Sequence, residues 1–286
     1  MKEKIKEFWN ERAKQHGNML TATTNDIYMR KLEVSTIVGA LQELPIPEHG
    51  AILDVGCGDG YSTLEVAQAM PNLRMLGMDY SENMIETACE RLDSQPDLRD
   101  RVEFIVGDVM DMRQACGNSK YDVILSVRCL INLGSKENQI YAISEIAEHT
   151  KPDGHYISLE NFVETHENMN MARRTVELPE IPVKWYNLFF REHEFVRTGK
   201  RFFKDIVFRD FASSYYFATR VIYSSMCQMR GDEPDYKHEI HQLAVSLPWV
   251  GQFSPTRMAI LSGKLKRLEH KEKPIMYLSC LPPGSL

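Results

Sequence analysis

Three aspartates stand where short apolar runs of the sequence end. Asp54 lies in the last part of the first run, Asp79 closes the second, and Asp108 follows the third. If these runs are parallel strands, their carboxyl ends meet at one edge of the sheet, where open α/β sheets bind their ligands. The three carboxylates are therefore expected to converge on one ligand.

Glycine occupies every second position directly after the first run, at Gly56, Gly58 and Gly60. Glycine lets backbone amides approach a ligand closely and permits a sharp turn into a helix. A dinucleotide fingerprint needs its third glycine where Tyr61 stands, and no G-K-[ST] phosphate loop is present. Asp54 would repel a phosphate and attract an ammonium group. The loop favours a ligand whose nearby end is an amino acid.

The other two acids match a nucleoside. Asp79 stands 21 residues after Gly58, close to the offset at which an acid accepts hydrogen bonds from both ribose hydroxyls. Asp108, which follows Gly107, can accept a hydrogen bond from an adenine amine, and the backbone amide of Val109 can serve a ring nitrogen. The three acids therefore match an ammonium, a ribose and an adenine in turn.

With these elements the sequence resembles the class I S-adenosylmethionine-dependent methyltransferases over roughly residues 50–160. The resemblance rests on these stretches: Asp54-Val55-Gly56-Cys57-Gly58-Asp59-Gly60, Asp79-Tyr80-Ser81 followed by Met84, Gly107-Asp108, Tyr121-Asp122-Val123-Ile124, and Lys151-Pro152-Asp153-Gly154. The last stretch departs from the family at Asp153, where a glycine is common. Several motifs in one order make the match specific.

The resemblance implies S-adenosylmethionine as the cofactor and S-adenosylhomocysteine as its product, with Met84 packed on the adenine. The cofactor-binding residues that we predict are Asp54, Gly56, Gly58, Gly60, Asp79, Tyr80, Met84, Asp108, Val109 and Arg128. The expected reaction is methylation of a small molecule, with an oxygen favoured as the acceptor atom and a sugar or natural product as a possible acceptor.

The acceptor should face the end of the fourth apolar run, at 126–132. This stretch contains no Asn-Pro-Pro-Tyr, which weakens the case for an amide or a base nitrogen as the acceptor. Arg128 could pair with an anionic substrate, or it could be an exposed arginine at a strand end. A hydroxyl acceptor would need a general base, for which the candidates are Glu160, His166 and His193.

The elements that must position these residues alternate between strand and helix. This order predicts an α/β fold: a doubly wound, Rossmann-like, mostly parallel sheet with helices on both faces. The predicted strands are Ala51–Val55, Leu73–Met78, Val102–Val106, Tyr121–Val127 and His155–Leu159, the last entered by a turn at 151–154, and the predicted helices are 61–69, 82–92 and 136–149.

The regions on either side differ from this core. Residues 1–50 are predicted to form a helical lid, in which Trp9, Arg12, Tyr28 and Arg30 could close over the cofactor. Residues 161–286 are predicted to form the acceptor pocket and complete the sheet. Their stretch from Trp185 to Tyr223 holds 13 of the 27 aromatic residues. The elements predicted there are a helix at Arg191–Thr198, a strand at Phe202–Phe208, and a last strand at either Ile275–Cys280 or Arg257–Leu261.

The composition limits the other function classes. The chain of 286 residues has a net charge of −6, which disfavours a large nucleic-acid interface and with it an RNA-methylating enzyme. The six cysteines are scattered and His238-x-x-His241 lacks the spacing of a helical zinc pair, so no metal is expected. The sequence indicates a cytoplasmic protein without a membrane segment. An N-methyltransferase, a non-catalytic cofactor-binding scaffold and a nicotinamide-dependent oxidoreductase remain as alternatives.

Overall fold

A mixed seven-stranded sheet dominates the computed structural model, which describes residues 2–17, 19 and 23–265. The strand order is β3-β2-β1-β4-β5-β7-β6, and β7 alone runs antiparallel to its neighbours. The predicted α/β fold is therefore confirmed. The strands are β1 Ala51–Val55, β2 Arg74–Asp79, β3 Val102–Val106, β4 Tyr121–Val127, β5 Thr150–Asn161, β6 Phe203–Arg209 and β7 Thr256–Lys264.

Helices cover both faces of the sheet. They are α1 Lys2–His16, α2 Ile27–Glu43, α3 Tyr61–Ala69, α4 Glu82–Asp93, α5 Met112–Cys116, α6 Lys136–His149, α7 Val163–Thr175, α8 Glu192–Gly199, α9 Ser213–Tyr216, α10 Tyr223–Arg230 and α11 Ile240–Ala244, with a π-helical turn at Phe217–Ile222 between α9 and α10. Short polar side chains fix several starts. Asp26 and Ser81 accept backbone N–H bonds at the first turns of α2 and α4.

The apolar core lies on both sides of the sheet because the central strands are buried on both faces. Successive side chains of a strand point to opposite faces. Ile52 thus packs into the layer formed with α2, α3 and α4, and Leu53 packs into the layer formed with α5 and α6. This double layer holds the carboxyl ends of β1, β2 and β4 at one rigid edge.

The structure decides one point that the sequence left open, the position of the last strand, and corrects one prediction, the turn at 151–154. The last strand contains Arg257–Leu261, and the alternative at Ile275–Cys280 lies outside the described residues. The stretch Lys151-Pro152-Asp153-Gly154 lies inside β5 and not before it. The register with β4 shifts there, from Tyr121 opposite Thr150 to Val123 opposite His155, so the extra residues form an irregularity within the strand.

The aromatic stretch after Trp185 divides between core and surface. Phe190, Phe195 and Phe203 are buried against β5, whereas half of Trp185 is exposed. Tyr215 on α9 packs with residues of α2 in a third, smaller cluster. No described helix is long and apolar enough to cross a membrane. The division of the chain at residues 50 and 160 stays a prediction.

Candidate cofactor and acceptor site

A cavity opens at the carboxyl ends of β1, β2 and β4, beneath α1. Its lining includes Trp9, Thr23, Arg30, Asp54, Gly56, Cys57, Gly58, Ser62, Asp79, Tyr80, Met84, Val127, Arg128, Cys129, Ile131, Asn132, Asn161, Tyr186 and Asn187. A smaller cavity shares Asp79 and Tyr80 and adds Asp108 and Val109. Nine of the ten residues predicted to bind the cofactor therefore line one continuous region, and Gly60 is the tenth.

Asp54 presents a free carboxylate oxygen to the cavity. Its Oδ2 accepts a hydrogen bond of 2.6 Å from the Thr63 hydroxyl, while its Oδ1 has no partner among the described residues. The side chain is buried, and this burial raises the pKa of Asp54 to about 6. An unpaired buried carboxylate oxygen is costly, and a cationic ligand would supply the missing partner.

Asp79 is held by two backbone amides. Its Oδ2 accepts the N–H of Gly58 at 3.0 Å and its Oδ1 accepts the N–H of Ser81 at 2.9 Å. Burial outweighs these bonds and raises the pKa of Asp79 to about 6. Each carboxylate oxygen keeps a second lone pair, so both remain able to accept ligand hydroxyls.

The glycines of the loop have different roles. Gly56 adopts φ +72°, and a Cβ there would lie 2.4 Å from Sγ of Cys129, so only glycine fits the floor of the cavity. Gly60 also has φ +72°, but a Cβ there would meet the Phe104 ring at 2.7 Å. Gly60 thus allows the start of α3 to pack against β3, and its predicted part in cofactor binding stays a prediction.

The adenine end of the predicted site lies under the amino terminus of α1. Asp108 caps the short 3-10 turn Val109–Asp111 by accepting the Met110 N–H at 2.9 Å, and it forms an ion pair with Lys2. Met84 is buried at the cavity wall, as expected for a shelf under a planar base. Lys2 therefore ties the lid helix to the third of the predicted acids.

The predicted lid residues only partly reach the cavity. Trp9 lines it and makes an edge contact with Tyr186, whose ring centroid is 5.6 Å away. Arg30 lines it as well, but its guanidinium is bound by Asp59 at 2.6 and 3.2 Å. Tyr28 instead stacks on a histidine of α11. Arg12 lies near Tyr186 and lowers the pKa of its hydroxyl, although burial raises that pKa overall.

Arg128 occupies an unusual backbone conformation at the end of β4. Its φ of +51° is rare for a residue with a side chain. Its N–H donates to the Leu159 carbonyl at 2.7 Å, and its carbonyl accepts from Nδ2 of Asn132 at 2.8 Å. Its guanidinium forms an ion pair with Glu33 of α2, with Nε 2.9 Å from Oε1. Burial raises the pKa of Glu33 although Arg128 lowers it.

None of the three predicted bases is among the residues that line the cavity, and their catalytic role stays a prediction. Glu160 is fully buried, and its Oε1 accepts the backbone N–H groups of Cys129 and Leu130 at 3.2 and 2.9 Å and the Ser126 hydroxyl at 3.0 Å. Burial raises the pKa of Glu160 to about 7 despite these bonds. Its carboxylate holds the turn that follows β4.

The two histidines lie elsewhere. His166 on α7 is buried, with a hydrogen bond of 3.3 Å to Asn170 and an edge contact with Phe189. Burial lowers the pKa of His166. His193 is exposed on α8. Neither histidine is among the residues that line the cavity.

Several polar cavity residues were not predicted. They are Thr23, Ser62, Asn161 and Asn187. Strand alternation could have separated Asn161 from Glu160. The two residues are neighbours at the end of β5, so their side chains point to opposite faces of the sheet. Asn187 gave no signal in the sequence. The described residues contain no group of three or more His, Cys, Asp or Glu side chains that could hold a metal ion.

The fold and the cavity define a class I S-adenosylmethionine-dependent methyltransferase domain. Residues 52–154 match the family described as "Methyltransferase domain". The residues present fit the cofactor of this class: Asp54 offers an unpaired buried oxygen where an ammonium would bind, and the glycine loop leaves space beside it. S-adenosylmethionine is therefore the cofactor of this domain.

Curated relatives share this part of the chain. A malonyl-[acyl-carrier protein] O-methyltransferase of Halalkalibacterium halodurans is 29% identical over 132 residues, which cover 44% of this chain and 46% of that protein. A demethylmenaquinone methyltransferase of Symbiobacterium thermophilum is 33% identical over 110 residues, covering 38% and 41%. The matched part thus spans less than half the length of these relatives.

A solved structure extends the similarity of fold. Magnesium protoporphyrin IX methyltransferase from Synechocystis PCC 6803, with bound S-adenosylhomocysteine, has a TM-score of 0.51 and 14% identity to this chain. The match covers 82% of this chain and 84% of that one. At this identity the likeness concerns the fold, and it reaches well beyond the 52–154 segment.

Proposed function

We propose that this chain transfers a methyl group from S-adenosylmethionine to an oxygen of a small-molecule acceptor. The observation that carries the proposal is the pairing of two half-sites in one cavity. One half presents Asp54, Asp79 and the glycine loop, and the other presents Trp9, Tyr186, Arg128 and three asparagines. The first half suits the donor, and the second suits a small organic molecule and not a polymer.

The donor half is already arranged for its ligand. S-adenosylmethionine, when bound, supplies both the methyl group and its own leaving group. Asp54 would hold the ammonium at its unpaired oxygen, Asp79 would accept the ribose hydroxyls, and Asp108 would accept from the adenine amine. Because the Gly58 amide and Ser81 amide already fix Asp79, little ordering remains for binding to accomplish.

Alignment is the main contribution expected of this chain. A methyl transfer needs the acceptor atom in line with the breaking bond, and such orientation can lower a barrier by about 7–11 kcal/mol. The Cys129–Asn132 turn donates backbone N–H groups to the Glu160 carboxylate, which fixes its position. The turn therefore forms a rigid wall beside the glycine loop. From α1, Trp9 lines the cavity, and we expect this helix to limit the access of water when the ligands are bound. The names of the relatives, one of them an O-methyltransferase, support an oxygen acceptor.

The test is a transfer assay with the full chain. The purified protein, methyl-labelled S-adenosylmethionine and a small-molecule extract are expected to give labelled, low-mass products. Label in proteins or RNA alone would reject the small-molecule acceptor. Binding of S-adenosylhomocysteine without any transfer would identify a cofactor-binding scaffold instead, and stabilisation by NAD in its place would indicate an oxidoreductase.

A further inference from the structure

The ion pair between Arg128 and Glu33 leaves one edge of the guanidinium unused. Glu33 binds the side of Arg128 through two contacts, Nε to Oε1 at 2.9 Å and Nη2 to Oε2 at 3.0 Å. Within the described part of the chain, nothing pairs with Nη1. Arginine presents its donors in a planar fork, so a guanidinium held on one side can still bind an oxyanion with the other.

The surroundings direct this free edge to the cavity. Glu33 is 1% exposed, whereas the Arg128 side chain lines the cavity and is 28% exposed. The carboxylate thus sits behind the arginine and the open side faces the acceptor half. Arg128 also has a positive φ, a strained backbone conformation of the kind that is concentrated at functional sites in many proteins.

The other residues on the acceptor side of the cavity indicate what kind of molecule carries the anionic group. Trp9 and Tyr186 form an aromatic wall, and Tyr186 is itself stacked on Phe8 at 4.7 Å. Oδ1 of Asn132 is buried without a hydrogen-bond partner among the described residues, so it can accept from a donor on a ligand. A flat, unsaturated molecule with one polar edge fits these groups.

The charge balance favours a single negative charge. Arg30, the other cationic residue that lines the cavity, is bound by Asp59, and Arg128 is half-neutralised by Glu33. Asp54 and Asp79 add two carboxylates to the donor half. A dianion such as a phosphate monoester would be repelled by these acids, whereas a carboxylate needs only the one free edge of the guanidinium.

We infer that the acceptor is an aromatic or otherwise unsaturated monocarboxylate whose carboxylate binds the free edge of Arg128, with Glu33 as the positioning residue behind it. This rests on the proposed function, since it names the acceptor of the same site. It also places a further specificity-determining residue at the end of β4.

The experiment measures binding of a panel of aryl and enoic acids, each beside its primary amide, to the full chain saturated with S-adenosylhomocysteine. In calorimetric titrations, each acid that binds is expected to have an affinity at least about tenfold higher than that of its amide. The reason is that hydrogen bonds between two charged groups are stronger than those to a neutral amide. Arg128→Gln is expected to abolish this preference. Arg128→Gln leaves the buried carboxylate of Glu33 without its ion pair, which destabilises the fold. The double variant Arg128→Gln with Glu33→Gln removes both charges, so it tests the same loss of preference in a chain that holds no unpaired charge at this position.

Two further variants complete the test. Glu33→Gln alone keeps the arginine and removes its counter-charge, so it is expected to tighten acid binding several-fold. Arg209→Gln, which breaks a surface pair with Glu43, should change nothing. The inference is overturned if no acid binds, if amides bind as well as acids, or if the Arg128 variants keep the preference. Failure of S-adenosylhomocysteine to bind the unaltered chain would reject the proposed function instead.

Discussion

The backbone N–H of Gly58 donates a hydrogen bond of 3.0 Å to Oδ2 of Asp79. This bond joins the loop after β1 to the end of β2, and it sets the carboxylate before any ligand arrives. Together with the Ser81 amide on Oδ1, it leaves Asp79 no freedom to turn away from the cavity. Loop and acid therefore act as one preformed unit.

The first prediction concerns this unit. Asp79→Ala should weaken S-adenosylhomocysteine binding by at least about 100-fold, because each hydrogen bond to a charged group contributes about 1.5–3 kcal/mol and the carboxylate is expected to accept from two hydroxyls. Calorimetric titration gives the affinity. Asp93→Ala, at the end of α4, is the matched control and should bind normally. An Asp79→Ala protein that binds as tightly as the control would remove the ribose assignment.

The second prediction concerns pH. Burial raises the pKa of Asp54 and of Asp79 to about 6 in the free protein. Below that pH both are protonated, and a ligand ammonium must displace a proton from Asp54. The affinity for S-adenosylhomocysteine should therefore fall as the pH drops from 7 to 5, by up to about tenfold per pH unit for each group, and level off at higher pH. Titrations across this range test the prediction.

Asp54→Asn provides the internal check on that dependence. The amide does not titrate, so the variant should bind weakly at all pH values and lose the part of the slope that belongs to Asp54. If the affinity for S-adenosylhomocysteine changed with pH equally in the variant and in the unaltered chain, Asp54 would not bind the ammonium.

The third prediction separates a positioning role of Glu160 from a basic one. Glu160 is fully buried and receives the amides of the Cys129–Asn132 turn. Glu160→Gln should slow transfer by disturbing this wall, yet the pH at which the rate is half-maximal should stay in place. A general base with a pKa of about 7 would behave differently: its loss would remove the corresponding limb of the pH–rate profile.

The fourth prediction concerns the stability of the loop. Asp59 is fully buried between Arg30 and Arg91, with contacts of 2.6 and 3.1 Å. Asp59→Asn removes the buried carboxylate that both arginines bind, and it should lower the free energy of unfolding by about 3–5 kcal/mol in urea titrations. The exposed pair of Asp93 and Arg99 is the comparison, and Asp93→Asn should cost less than about 1 kcal/mol. Equal losses of unfolding free energy in Asp59→Asn and Asp93→Asn would contradict a stabilising role for the buried ion pairs of Asp59.

The sheet and the donor half were predictable because they depend on local signals. β1, β3 and β4 have the predicted bounds, since each is a short apolar run bounded by turn residues. Asp54, Asp79 and Asp108 stand at or just after the ends of such runs, and parallel strands bring their carboxyl ends together. In these cases sequence position alone decides where a side chain goes.

The acceptor half was not predictable in the same way. Glu160 stands at a strand end, as a base should, but its carboxylate is bound by backbone amides of the turn after β4. The pairing of Arg128 with Glu33 joins residues 95 positions apart, on a strand end and a helix. Neither relation follows from residue type or spacing: the first depends on how the turn after β4 folds over the end of β5, and the second on how α2 packs against the end of β4.

The antiparallel strand β7 has a consequence for how the chain is made. β5 and β6 do not pair with each other: β5 lies between β4 and β7, and β6 pairs with β7, so the sheet is completed only after residues 256–264 have been synthesised. Until then the outer side of β5 carries unpaired N–H and carbonyl groups, a template for strands of other chains. Thr256 also anchors Asn161 with a hydrogen bond of 2.7 Å. We therefore expect the donor half to assemble early in synthesis, while the outer edge of β5 stays open to pairing with other chains until residues 256–264 have been synthesised.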